Sequence, residues 1–275
     1  LLSRELGSSL TGRHITKELF PFSYHEYCRF HNLAAGTETT ILYLKDGGFP
    51  EYQKQKNPEI LTSLLDDILV RDIAVRYNIR DIKTLQRLTL FLLSNVGNRV
   101  TGNKLKTTFG ISSTTTILEY FSHLENSCLL AFVPMFDYSL KKQNNNPKKV
   151  YAIDTGLVEI NTPNFTKDAG HKLENLVFLA LRQRSKEIYY FSGTGECDFL
   201  ILEKGVISSA VQVCLELNND NLQRELSGLF EAMQMFNLID CEIVTLSQTD
   251  SFTQNGMIIK VVPFHEFIGN TNFHS

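Results

Sequence analysis

Apolar positions recur at intervals of three and four through the first half of the chain and alternate, or gather in short runs, further on. In PEILTSLLDDILVRDIAVRY, from Pro58, residues Ile60, Leu61, Leu64, Leu65, Ile68 and Leu69 share one helical face, which predicts a long amphipathic helix. SYHEYCRFHNLA after Pro21 predicts another, with a break at Gly47 and Gly48. LQRLTLFLLSNVGN reads as a helix closed by Gly97, and GNKLKTTFG as a short one closed by Gly110. SSTTTILEYFSHLENS opens with a Ser/Thr cluster suited to a cap and carries Ile117, Leu118, Phe121 and Leu124 on one face. LLAFVPMFDY and KKVYAID predict two strands around the Lys/Asn-rich loop KKQNNNPKK. From residue 168 the order is a helix (AGHKLENLVFLALRQR), strands EIYYFSG, CDFLILEKG and AVQVCLEL, a helix (NLQRELSGLFEAMQMFN), then strands CEIVTL and IIKVVPF. SGTGECD has two glycines but no following helix, so it reads as a hairpin turn and not as a phosphate cradle.

These elements predict a mixed α/β protein in three parts: a mostly helical stretch over 1–70, a helix-rich part with a hairpin over 71–160, and an α/β domain over 161–275. Helix, turn, capped helix and basic hairpin is the order of a winged helix-turn-helix. Length and composition agree with packed domains, with 275 residues of which 43% are hydrophobic and 21% charged. The formal charge of -3 argues against a general polyanion binder, but the charge is segregated. Residues 71–150 carry +7, which leaves -10 for the remainder.

No apolar run reaches the roughly 18 residues of a membrane span and no signal-peptide pattern opens the chain, so a cytoplasmic protein without a membrane partner is expected. Five scattered cysteines without a CxxC suit reduced thiols. His25, Cys28 and His31 share a helix face, but the aromatic neighbours Tyr24, Tyr27 and Phe30 favour packing, and no metal ligand set is assigned. The chain starts at Leu1, and its opening LLSRELGSSL reads as the middle of a folded unit, which makes a fragment the expectation.

Two constellations carry candidate chemistry. In the first, Ser112, Ser113, Thr114 and Thr115 open a candidate recognition helix, Lys104 and Lys106 lie on the helix before it, and Lys141, Lys142, Lys148 and Lys149 lie on the wing. Short hydroxyl side chains that approach phosphates and base edges, flanked by lysines, suit DNA. The same module packing against a protein partner, or against itself, is the alternative. In the second, Glu174 on a helix and Asp198 at the start of a strand are candidate metal-binding carboxylates. The next strand should add an acid and a lysine two residues apart on one face, and it supplies Gln212 and Cys214. A glutamine carbonyl can still meet a metal, but a thiol is a poor ammonium, so a divalent-metal nuclease is the weaker reading.

The helix with Glu174, the strand opening on Asp198 and the strand with the alternating pair resemble the restriction endonuclease-like, PD-(D/E)XK, fold. LLSRELGSSLTGRHITKELFPFSYHEY, GGFPEY, LLDDILVRDIAVRYNI, KKVYAIDTGL, GECDFLI, VQVCLEL and RELSGLFEA together resemble the C-terminal two-thirds of a prokaryotic AAA+-type ATPase family with an uncharacterised C-terminal domain. That resemblance implies the end of an ATPase core and a helical linker over 1–70, then a winged helix and a degenerate nuclease-like domain. It implies ATP and Mg for the intact protein but no cofactor in this chain, which has no P-loop sequence. It makes Arg13, in TGR before ELFPFSY, a candidate for a nucleotide phosphate. It also implies that QVC is a decayed acid-x-Lys pair, with Glu174 and Asp198 kept as partners of Arg182, Arg184 or Lys172.

Overall fold

The computed structural model describes residues 18–162 and 169–269. Arg13 and most of the opening stretch lie outside the described residues. Four helices come first: α1 (Tyr24–His31), α2 (Thr37–Asp46), α3 (Pro50–Gln55) and α4 (Glu59–Asp67). Helix α4 continues through wider π-type turns over Ile68–Val75, so the apolar stripe read from Pro58 onward forms one rod with a change of pitch. Next come α5 (Ile82–Leu93), β1 (Arg99–Val100), α6 (Gly102–Phe109), α7 (Thr114–Asn126), β2 (Leu130–Pro134), α8 (Leu140–Asn145) and β3 (Lys148–Ala152). Gly110 closes α6 in the left-handed conformation, and the Ser113 hydroxyl accepts the Thr115 N–H at the start of α7. The strands form an antiparallel sheet of order β1-β3-β2.

After α9 (Thr155–Asn161) and α10 (Ala169–Arg182) come β4 (Ile188–Ser192), β5 (Glu196–Glu203), β6 (Val206–Val213), α11 (Leu222–Phe236), β7 (Asp240–Thr245), β8 (Asp250–Gln254), β9 (Met257–Pro263) and α12 (Phe264–Phe267). The six strands take the order β4-β5-β6-β7-β9-β8, with β6, β7 and β9 parallel and the other pairings antiparallel. The whole is a mixed α/β protein with two sheets. Alternation along the strands sends Phe199, Val211, Val244 and Val262 toward α10, α1 and α2, and sends Leu200, Ala210, Ile243 and Ile259 toward Leu226, Leu229 and Met233 of α11. A further core joins Leu61, Leu65 and Leu69 to Leu85, Leu88, Leu124 and Val150.

The two sheets meet where β2 runs out toward β4. Met135 bridges Tyr190, and the Phe136 N–H donates to the Tyr190 carbonyl at 2.8 Å. Asn175 of α10 uses both ends of its amide on the Ala152 backbone, accepting at 2.7 Å and donating at 3.0 Å.

The GGFPEY and DTG stretches clasp one another. Asp154 caps α9 by accepting the Leu157 N–H at 2.8 Å, and its other oxygen accepts the Gly48 N–H at 2.5 Å. Gly47 has a φ of +65°, and a Cβ there would lie 2.2 Å from an Asp154 oxygen; a Cβ at Gly156 would lie 2.2 Å from the Asp46 carbonyl oxygen. Asp154→Ala removes a cap and leaves a buried N–H unpaired, so a loss of about 2–4 kcal/mol in urea unfolding is expected. Asp154→Asn, which keeps an acceptor, should lose less, and Gly156→Ala should be strongly destabilised by the same measurement.

Candidate functional site

Strand alternation sets the site. On β3, Lys149 and Tyr151 are two residues apart and share a face, while Val150 points into the helical core. That shared face turns toward α10 and β5. The Lys149 ammonium donates to Asp198 Oδ1 at 2.6 Å and to Glu174 Oε1 at 2.8 Å, and the Tyr151 hydroxyl donates to the same Glu174 oxygen at 2.6 Å. Lys149 is 5% exposed, and Glu174 and Asp198 are buried with it. The structure therefore brings Glu174 and Asp198 together as expected, but with a different cation. Arg182 pairs with Glu18, Lys172 with Glu159, and Arg184 donates to the Ile268 carbonyl.

Gln212 of β6 is the third expected member and it adjoins Asp198, but its amide is engaged at both ends. Its carbonyl accepts the Asp198 N–H at 3.0 Å, and its NH2 donates to Glu225 of α11 at 2.6 Å. The second Asp198 oxygen accepts the Val213 N–H at 2.9 Å. Cys214 follows the end of β6, donates to the Glu216 carbonyl, and has its thiol pushed up by burial and the Glu225 charge. It offers no positive charge at the position where an acid-x-Lys motif would place a lysine.

One ammonium faces two carboxylates, so the buried group carries an excess negative charge. Burial pushes the Glu174 carboxyl up, the Asp198 charge adds to the rise, and Lys149 and Tyr151 oppose it. Burial pulls the Lys149 ammonium down, but Asp198 and then Glu174 outweigh it and leave it raised. Beside this group opens a cleft of roughly 750 Å³ lined in part by Arg99, Cys214, Arg224 and Glu225. Arg99 lies over the Tyr190 ring and pairs with Glu196 at 2.8 Å across the same junction.

The residues do not fit a divalent cation in this arrangement. The ammonium stands between the carboxylates, the glutamine carbonyl is turned onto a backbone N–H, and among the described residues no group of three or more His, Cys, Asp or Glu side chains is set to hold a metal. His31 instead meets Gln53 at 2.9 Å and packs on Tyr27, in keeping with the packing expectation for that helix.

The candidate nucleic-acid residues divide. Lys104, Ser112, Thr115, Lys141 and Lys142 are exposed, with Lys142 3.6 Å from Asp137, and Lys106 and Lys148 are half-buried. Ser113 is used as a cap and Thr114 donates to Asn103 at 2.8 Å, so those two hydroxyls are engaged within the fold. Lys149, expected on the wing surface, is corrected to the interior: the strand's alternation turns it inward, where two carboxylates neutralise it. Tyr151, Asn175, Arg99 and Glu225 were not singled out from sequence. The two-residue spacing of Lys149 and Tyr151 is the one local signal that could have joined any of them to the site.

Residues 37–167 match a family model described as a domain of unknown function, DUF8612. The chain is similar to an uncharacterized protein of Methanocaldococcus jannaschii, 29% identical over 96% of this chain and 65% of that protein. It is also similar to an uncharacterized protein of Haemophilus influenzae, 30% identical over 68% of this chain and 50% of that protein. The chain thus spans one half to just under two thirds of these relatives. No solved structure matches it. Among the described residues no helix is long and apolar enough to cross a membrane.

A folded-state proton affinity above that of the unfolded chain favours folding at acid pH and is lost as pH rises through the raised pKa. Glu174→Gln keeps an acceptor oxygen for Lys149 and Tyr151 but cannot ionise. Its melting temperature relative to wild type is expected to improve between about pH 5 and about pH 8. A difference independent of pH would count against a raised Glu174.

Proposed function

We propose that this chain is the output region of a larger AAA+-type ATPase, in which a DNA-binding winged helix is docked rigidly on a restriction endonuclease-like domain that serves as scaffold. The order α5, β1, α6, α7, β2, α8, β3 with sheet order β1-β3-β2 supports the winged-helix reading. The helix α10, the antiparallel β4-β5-β6 and the parallel β7 after α11 support the nuclease-like one. The observation that carries the DNA reading is the exposure of Ser112 and Thr115 around the start of α7 and of Lys104 on α6, two helices joined by the Thr114–Asn103 hydrogen bond. Lysines there and on the wing would neutralise phosphates while the hydroxyls approach the groove. The scaffold role is supported by the Lys149 ammonium between Glu174 and Asp198 and by the engaged Gln212, which leave these residues no place for a divalent ion. ATP and Mg belong, in this reading, to the P-loop part of the ATPase and not to this chain.

Duplex DNA binding by the full chain should weaken with salt, with a slope set by the few lysines of this face. Lys104→Glu with Lys106→Glu should lower affinity at least about tenfold and reduce the salt slope by about 2. Fluorescence anisotropy across a salt series measures both. Binding that these changes leave intact would remove α6 and α7 from the interface, and no binding at low salt would favour a protein-interaction module. Mg²⁺- or Mn²⁺-dependent cleavage lost in Asp198→Ala would overturn the scaffold role.

A further inference from the structure

The carboxylates Glu174 and Asp198 both lie on the six-stranded unit, on α10 and β5, whereas the cation between them belongs to the three-stranded sheet. The neighbouring groups are also engaged: the Val213 N–H on the second Asp198 oxygen, the Tyr151 hydroxyl on the Glu174 oxygen that Lys149 meets, and the Gln212 amide bonded at both ends. The same junction is held by Asn175 on the Ala152 backbone and by Arg99 on Glu196. We infer that Lys149 is the resident cation of the Glu174–Asp198 site, so that the site is a latch between the two sheets and not a divalent-metal centre. The two carboxylate oxygens lie 2.6 and 2.8 Å from one point, which is close to the ligand distance of a hard divalent ion, about 2.0–2.6 Å. Lys149, Glu174 and Asp198 form part of the wall of the adjoining cleft. Withdrawing the ammonium would leave paired carboxylates with a route to solvent, a vacancy that a metal ion can fill from outside. The latch lies wholly within this junction and is independent of any DNA binding.

The test uses the full chain, with Mn²⁺ as the probe, read by its electron paramagnetic resonance signal, together with thermal melting. Wild type should bind no Mn²⁺ at this site, and its melting temperature should respond alike to Mn²⁺ and to chelator. Lys149→Met, similar in length but uncharged, should melt several degrees lower, bind one Mn²⁺ and recover stability with it. Adding Asp198→Asn to that variant should abolish the Mn²⁺ binding while restoring part of the lost stability without metal. If Lys149→Met does not fold, recovery of a folded chain in Lys149→Met with Asp198→Asn supports uncompensated charge as the cause, and failure of that pair to fold overturns the latch. Mn²⁺ binding by wild type that Asp198→Asn removes would overturn it directly, as would a Lys149→Met chain that melts with wild type.

Discussion

The relation between the two sheets turns on one buried ammonium. Lys149 leaves β3, crosses the junction and ends between a carboxylate on α10 and another on β5. Desolvating an isolated ammonium costs several kcal/mol, so a lysine at this depth is tolerated only with close opposite charge. Two carboxylates supply it, and the tyrosine hydroxyl on the same strand face satisfies a further lone pair. Removing one member of such a buried group typically costs about 3–5 kcal/mol because the remaining charge is stranded. The directional content is as important as the magnitude: the hydrogen bonds are made only when β3, α10 and β5 hold one relative position.

Beside the Arg99–Glu196 pair, further contacts at the junction are made to backbone. Asn175 reads the Ala152 N–H and carbonyl together, and the Phe136 N–H is tied to Tyr190. These bonds leave little freedom for β3 to slide, which keeps the ammonium in register with its acids. The Asp154 clasp does the same on the other side of β3, fastening the turn after it to the Gly47–Gly48 corner. A strand held at both flanks is a suitable base for a hairpin whose lysines are proposed to face DNA.

Much of the secondary structure was legible because local signals agreed. The cap at Ser113, the left-handed Gly110 and the three-and-four spacing placed α6 and α7, and alternation placed β5, β6 and β7. Strand β8, DSFTQ, is almost wholly exposed and lacks alternation, so nothing local marks it, and β1 has only two residues. Glu174 and Asp198 were legible as an acid pair, whereas their cation was not. Lys149 lies 25 residues before one partner and 49 before the other, in a basic loop edge where its neighbours Lys148, Lys142 and Lys141 all suggest solvent. Only the register of a three-dimensional sheet separates the lysine that turns inward from the one beside it.

The same separation changes what the charge of residues 71–150 means. The segment's +7 is a count of side chains, not of charges presented to solvent. Lys149 is consumed by the junction, Arg99 faces Glu196, Arg71 faces Asp67, and Lys142 lies near Asp137. Of the lysines expected at DNA, the proposed face keeps Lys104, Lys106, Lys141 and Lys148, while Arg76, Arg80, Lys83 and Arg87 of the same segment are also exposed. Neutralising four phosphates with those lysines alone corresponds to a salt slope of about -3.6 for duplex DNA. Affinity from this face alone is therefore modest at physiological salt. A machine built on it would gain grip by presenting several copies or by reading DNA shape with the hydroxyls at the start of α7, and the rigid junction keeps either arrangement in a fixed geometry.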